Sequence, residues 1–344
     1  MKIVNIMLSQ GLGGLEQAFV DYCEALKLSG HTVAAIIDPK CGVKASLENL
    51  YLEAIEISNW GVYDLWAGYK IKKALKHQNP DCVIVHGARA ATLSKGSGFP
   101  TVGVAHTHNK KRLMGLDGVI TITEKVRHEF IQKGMGTQKV KYVPNMIRLP
   151  SEDPFTNRKQ ISTPLKIGAL GRLVPKKGFS ILIEALALLK NQGLHFKCVI
   201  GGDGEEKIHL QSLVQNYNLA DQVHFIGWVQ DKEIIYKDID IFCVPSLIEP
   251  FGIILLEGWS YGCPLIVTDT EGPVEIVTHL QDGYIVPKGN AEALAEAIKK
   301  LMEDDHLRQE LTIQGFKTLR SHYDIQVVCH VLNKAIHEIL SVTS

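Results

Sequence analysis

Three groups of residues in this 344-residue chain have types and spacings that could build a ligand site. The densest lies between Val244 and Val277, VPSLIEPFGIILLEGWSYGCPLIVTDTEGPVEIV. The short apolar run ending at Val244 has the pattern of a buried parallel strand, and Pro245 stops it. Glu249 falls in the loop that follows. Phe251-Gly252-Ile253 opens a helix, and Glu257 sits on that helix with seven residues between the two glutamates. Both carboxylates are therefore expected at the carboxyl edge of one strand. Open α/β sheets bind ligands there, because helix N-termini present unpaired N–H groups to anions. Glycine at 252 lets backbone approach a ligand closely, and a carboxylate inside the helix can accept hydrogen bonds from sugar hydroxyls. The second group is Gly171-Arg172-Leu-Val-Pro-Lys-Lys177-Gly178-Phe179, directly after the apolar segment 165–170. An arginine just past a strand and a lysine five residues on, ahead of a helix, form a diphosphate clamp. The guanidinium takes two oxygens, the ammonium acts as a point charge, and the helix start adds partial positive charge. The third group comprises strand-end histidines: His86 before Gly87, then His106 with His108 as the competing position.

The 244–277 stretch resembles the signature of the retaining glycosyltransferases of family 4, in which two glutamates separated by seven residues flank a Phe-Gly. Pro245-Ser246, Gly262-Cys263-Pro264, Gly272-Pro273 and Glu275 agree in order. Glu271 stands where the family usually has glycine. The resemblance implies an α/β fold of two doubly wound Rossmann-like domains facing a cleft, the GT-B arrangement, and transfer of a sugar from a nucleotide-diphosphate sugar with retention of configuration. It places Arg172 and Lys177 on the donor phosphates, Glu257 on the ribose, Glu249 on the transferred sugar and His106, six residues after Pro100, on a sugar hydroxyl. It places Gly13 and Gly14, with Glu16 beside them, on the diphosphate or the sugar. Gly227, Trp228 and Val229 fall in the loop that pairs the nucleobase with backbone groups, and Phe251, Gly252 and Ile253 supply N–H donors. No metal, no further cofactor and no covalent enzyme nucleophile is expected. Thr123 replaces the family's serine before a helix, and Met146 the glycine of its Pro-Asn-Gly.

The elements that must position these residues alternate. Segments 2–8, 31–38, 54–57, 81–86 and 101–105 have strand patterns, and 15–29, 62–78 and 124–133 have apolar residues at helical spacing. This predicts a doubly wound first domain over 1–150. The glycines of Ser9-Gln-Gly-Leu-Gly-Gly14 lack G-x-G-x-x-G spacing, and Asp38 at the second strand's end is followed at once by Pro39, which disfavours a redox dinucleotide site. Residues 149–164 are polar and proline-rich, a linker. The second, nucleotide-sugar-binding domain is expected over 151–322, with strands near 165–170, 196–200 and 223–229, and helices near 291–302 and 306–321. A terminal helix within 323–344 is expected to pack back on the first domain.

The 45% hydrophobic and 22% charged content is that of a globular protein, and no run reaches the roughly 18 apolar residues of a membrane-spanning helix. A cytoplasmic protein with seven reduced, structural cysteines is expected. The net charge of zero conceals an asymmetry: residues 1–150 hold 19 Lys+Arg against 12 Asp+Glu, and the rest 18 against 25. A basic first domain, with Lys110-Lys111-Arg112 on it, suits an anionic or lipid-linked acceptor or peripheral contact with the inner face of the membrane, and no nucleic acid is expected. Together with the resemblance this suggests lipopolysaccharide or other cell-envelope polysaccharide synthesis. The rival readings are a nucleotide-sugar epimerase of the same fold and an inactive nucleotide-sugar-binding protein.

Overall fold

The computed structural model describes residues 1–11, 13–106, 111–155 and 161–342. The chain divides into two compact units, Met1–Arg148 with Tyr323–Ser344, and Leu149–His322.

The first unit runs β1 (Lys2–Met7), α1 (Gly14–Leu28), β2 (Thr32–Ile37), α2 (Lys44–Asn49), β3 (Ala54–Glu56), α3 (Leu65–Gln78), β4 (Cys82–His86), α4 (Gly87–Ser94), β5 (Thr101–Ala105), β6 (Gly118–Thr121), α5 (Glu124–Gln132) and β7 (Val140–Tyr142). Its strands form one parallel sheet in the order β3-β2-β1-β4-β5-β6-β7. β4 and β5 are buried along their whole length, which is why CVIVH and TVGVA are continuous rather than alternating apolar runs. The order reverses at β1, which pairs with both β2 and β4, so the loops after β1 and β4 open at a topological switch point.

The second unit runs β8 (Leu165–Leu170), α6 (Phe179–Asn191), β9 (Phe196–Gly201), α7 (Lys207–Asn216), β10 (Val223–Gly227), α8 (Lys232–Asp238), β11 (Ile241–Val244), α9 (Ile253–Ser260), β12 (Leu265–Thr268), α10 (Pro273–Ile276), β13 (Tyr284–Val286), α11 (Ala291–Glu303) and α12 (Asp305–His322). The parallel order is β10-β9-β8-β11-β12-β13, with its switch point between β8 and β11.

The terminal helix α13 (Ile325–Leu340) belongs to the first unit. Its apolar stripe, Val328, Leu332, Ile336 and Ile339, is buried. The Ser29 hydroxyl donates to the Cys329 carbonyl at 3.1 Å, a His31 ring nitrogen lies 2.9 Å from Asn333 Oδ1, and Lys141 pairs with Glu338. At Gly118 a side chain would overlap Ile339, so the helix rests directly on strand backbone.

Two expectations need correction. The helix expected from residue 62 begins at Leu65, because buried Asp64 caps it: its carboxylate accepts from the N–H groups of Ala67 (2.9 Å) and Trp60 (3.1 Å). Residues 60–64 are thus a capping turn. The sequence pattern gives no sign of helices α2, α4, α8 and α10; each has eight residues or fewer, too short for periodicity to register.

Candidate functional site

In the second unit the site is built by three loops at the carboxyl edge of the sheet. The loop after β8 is held from one side by backbone bonds from Gly171 N to Gly201 O and from Leu173 N to Asp203 O, both 2.9 Å. It then forms a single 3-10 turn at Pro175–Lys177 and enters α6 through Gly178. The loop after β11 docks on that turn: the Lys176 carbonyl accepts from Leu247 N at 2.8 Å and Ile248 N at 3.1 Å. The two loops approach so closely that a Cβ on Gly178 would overlap the Pro245 carbonyl, and Gly178 also has a φ of +66°. The third loop, after β12, is tied in by Gly272 N donating to Glu249 O at 2.9 Å. A side chain on Gly272 would run into the Phe251 backbone, so the close approach needs the glycine at 272 and tolerates Glu271 before it.

This backbone interlock brings two predicted residues together. Lys177 Nζ lies 2.5 Å from Glu249 Oε2, with Ser246 Oγ 3.4 Å from the same oxygen. The lysine side chain is 23% exposed and the glutamate 9%, so the pair is only partly screened by water. Arg172 stands on the same β8 loop with its side chain exposed. Gly252, with a φ of +99°, is the N-cap of α9, so the first N–H groups of that helix, beginning at Ile253, are presented beside Glu249; Phe251 is buried under the turn.

Glu257 is on α9 as expected, but it has partners the sequence did not reveal. Its carboxylate accepts from Lys232 Nζ at 2.6 and 2.9 Å and from the Tyr236 hydroxyl at 2.9 Å. Burial, reinforced by the Glu257 charge, drives the Tyr236 hydroxyl well above its ordinary pKa, so it stays protonated and donates. Helix α9 is pinned from behind by Gly258 against Phe242 and Leu265, and by Trp259, whose indole N–H donates to the Asp282 carbonyl at 3.1 Å. Gly227 ends β10 with a φ of +71° and its carbonyl accepts from Gly202 N at 2.7 Å. Trp228 follows, 53% exposed, and Val229 is half-buried over Gly201.

In the first unit Gly13 is the N-cap of α1 and Gly14 its first residue. Glu16 is buried and accepts from the Ser9 hydroxyl. Asp38 is saturated by Asn59 Nδ2 (2.7 Å), Asn59 N (3.0 Å), Lys40 N (2.9 Å) and Gln10 Nε2 (3.2 Å), which leaves it no role toward a ribose. His106 follows β5, and its Nε2 lies 2.9 Å from Nδ1 of His86, the rings stacked with centroids 5.1 Å apart. Phe19 and Tyr22 of α1 wall His86 edge-on. Burial pushes the His106 pKa down to about 4, and burial together with His106 pushes His86 well below its usual value, so both rings are neutral at pH 7. His86 Nε2 is buried without a partner among the described residues. One ring donates to the other across this contact, and the tautomers set which. His108 and Lys110 lie outside the described residues. The described residues contain no group of three His, Cys, Asp or Glu side chains placed to hold a metal ion.

The interlock makes a stability prediction. Gly178→Ala combines left-handed backbone strain of about 1–2 kcal/mol with overlap at Pro245, so a loss of roughly 2–4 kcal/mol is expected. In a thermal melt this appears as a transition lowered by about 5–15 °C. An unchanged melting temperature would show that the loops are not locked together at this point.

Two doubly wound parallel sheets in one chain are the architecture of the GT-B glycosyltransferases. Comparison with known proteins agrees across the chain: residues 12–149 match the family described as Glycosyltransferase Family 4, and residues 152–318 that described as Glycosyl transferases group 1. The chain belongs to the family 4 glycosyltransferases. It is 27% identical over 345 residues to the lipopolysaccharide core biosynthesis glycosyltransferase LpsE of Rhizobium meliloti, covering 95% of this chain and 96% of the relative. It is 25% identical over 272 residues to the capsular polysaccharide biosynthesis glycosyltransferase CapM of Staphylococcus aureus, covering 74% and 70%. Among solved structures, Anabaena HepE in complex with UDP-glucose superposes with a TM-score of 0.83 at 20% identity, covering 98% of this chain and 99% of that one.

Proposed function

We propose that this glycosyltransferase takes its sugar from a nucleoside-diphosphate sugar and transfers it with retention of configuration, without a metal ion, to a lipid-linked acceptor in cell-envelope polysaccharide or lipopolysaccharide synthesis. The observation that carries the donor assignment is the Lys177–Glu249 pair beside Arg172 and the α9 N-terminus. As the bond from the sugar's anomeric carbon to the diphosphate oxygen breaks, negative charge grows on the diphosphate. Two cations and the helix N–H groups meet that charge. Lys177 has three donors, so it can keep Glu249 with one and turn the others to phosphate. Glu249 is assigned to the transferred sugar, Glu257 to the ribose, Gly227, Trp228 and Val229 to the base, and His106 and the Gly13-Gly14 turn to the sugar and diphosphate. The UDP-glucose held by HepE supports a donor of this class, and the functions of LpsE and CapM support the acceptor class. The basic charge of residues 1–150 supports peripheral contact with a membrane; no helix of the described residues is long and apolar enough to cross one.

The test screens UDP-, GDP- and ADP-sugars by thermal shift, where a donor at a hundred times its Kd raises stability by about 2.7 kcal/mol. The stabilising sugar is then incubated with the protein without acceptor. Slow release of free sugar, at the same rate in EDTA, is the expected outcome. A rate abolished by EDTA and restored by Mg²⁺ removes the metal-free mechanism. An isomerised nucleotide-sugar would instead identify an epimerase.

A further inference from the structure

Trp60, Tyr63, Leu65, Trp66 and Tyr69 lie within ten residues of one another, and each has 57–86% of its surface in water. Single exposed apolar residues are ordinary; a cluster of this density marks an interaction surface. Helical periodicity explains the members on α3. Ala67, Gly68, Ile71 and Leu75 of α3 face the core, while Leu65, Trp66, Tyr69, Lys70, Lys73 and Lys76 fall on the opposite arc. Aromatic and aliphatic groups occupy the first turn of that arc, and lysines the turns after it. Trp66 and Tyr69 stack with centroids 5.4 Å apart, Lys70 Nζ lies 5.6 Å from the Trp66 ring centre, and the Arg112 guanidinium lies 5.7 Å from that of Tyr63. No Asp or Glu occurs on α3, and buried Asp64 is taken up in capping it.

We propose that this face docks on an anionic lipid surface, the Trp and Tyr rings entering the headgroup layer and Lys70, Lys73 and Lys76 meeting lipid phosphates. Indole and phenol rings, apolar in body with one polar atom, favour that layer, and lysine stems extend along apolar surface while the ammonium stays hydrated. The charge is complementary to an anionic leaflet. A carbohydrate ligand fits less well, because the face carries no carboxylate or side-chain amide to order sugar hydroxyls. That docking brings the enzyme to a lipid-borne acceptor rests on the transferase reading; the docking itself does not.

Co-sedimentation of the full chain with vesicles tests this. Binding to phosphatidylcholine vesicles containing phosphatidylglycerol, little binding to phosphatidylcholine alone, and weakening with added NaCl are expected. Lys70→Glu and Lys73→Glu should each weaken binding at least about fivefold, and Trp66→Ser with Tyr69→Ser about tenfold or more. These side chains are exposed, so the variants should melt at the parent temperature. A parent that stays in the supernatant with both vesicles, binds both equally without salt dependence, or loses nothing in the variants overturns the proposal. So does a parent that self-associates through this face, as shown by Trp66→Ser alone making it monomeric. Donor-induced thermal shift, measured without vesicles, should be unchanged in every variant; its absence in the parent would count against the transferase reading and leave the vesicle result standing.

Discussion

Lys177→Ala will reduce kcat/KM by at least about a hundredfold, and by more than Arg172→Ala does. For each residue, loss of a charge-assisted hydrogen bond to phosphate is worth roughly 1.5–3 kcal/mol, or about ten- to a hundredfold. Arg172 is exposed, and its removal leaves nothing stranded. Lys177 differs because Glu249, 2.5 Å away and 9% exposed, keeps a carboxylate facing the site with its cation gone. That charge is poorly hydrated and would repel the incoming diphosphate. The double variant Lys177→Ala/Glu249→Gln should therefore lose less than the two single losses combined, a coupling that a double-mutant cycle measures directly. Calorimetric titration with the nucleoside diphosphate should show the same ranking. Additive effects, or equal losses from Arg172 and Lys177, would mean that the ion pair is a structural tie with no part in donor binding.

Glu249→Gln and Glu257→Gln will separate kcat from KM. Glu257 is held by Lys232 and the Tyr236 hydroxyl on α8, and its assigned ligand, the ribose, is present before, during and after transfer. Contacts equally strong in ground and transition states act on binding alone, so Glu257→Gln should raise the donor KM about tenfold and nearly preserve kcat. Glu249 stands at the N-terminus of α9, beside the cation that meets the leaving group, and is assigned to the sugar that gains positive charge at the transition state. Loss of a negative charge there should lower kcat by about a hundredfold with KM little changed. Steady-state kinetics on the two variants decide between these roles; the reverse pattern would exchange them, and two unaffected enzymes would remove the stretch from the mechanism.

Much of the scaffold was legible because parallel strands buried on both faces must be short continuous apolar runs, and the helices between them must show one apolar stripe. Segments such as TVGVA of β5 and IFCV of β11 have no other comfortable reading. Glycines were legible as positions of close approach, though not what they approach: nothing local to Gly178 points to Pro245, or local to Gly272 to Phe251. The short helix α8 escaped notice because seven residues with four charges, KEIIYKD, show no stripe. Both partners of Glu257 were hidden with it.

Through its resemblance to family 4 the sequence implied two doubly wound domains; by itself it put Arg172, Lys177 and Glu249 in the loops after strands and Glu257 on the helix that follows. Those properties follow from local patterns, since a strand's end and a helix's start are set by the residues on either side. Only the tertiary structure decided who meets whom. Lys177 and Glu249 are 72 residues apart, His86 and His106 are 20 apart, and Glu257 is 25 from Lys232. The first two pairings depend on which strands are neighbours: β8 beside β11 in one sheet, β4 beside β5 in the other. Strand order is fixed by the crossovers and by the packing of whole helices on the sheet, a global property that no window of sequence contains.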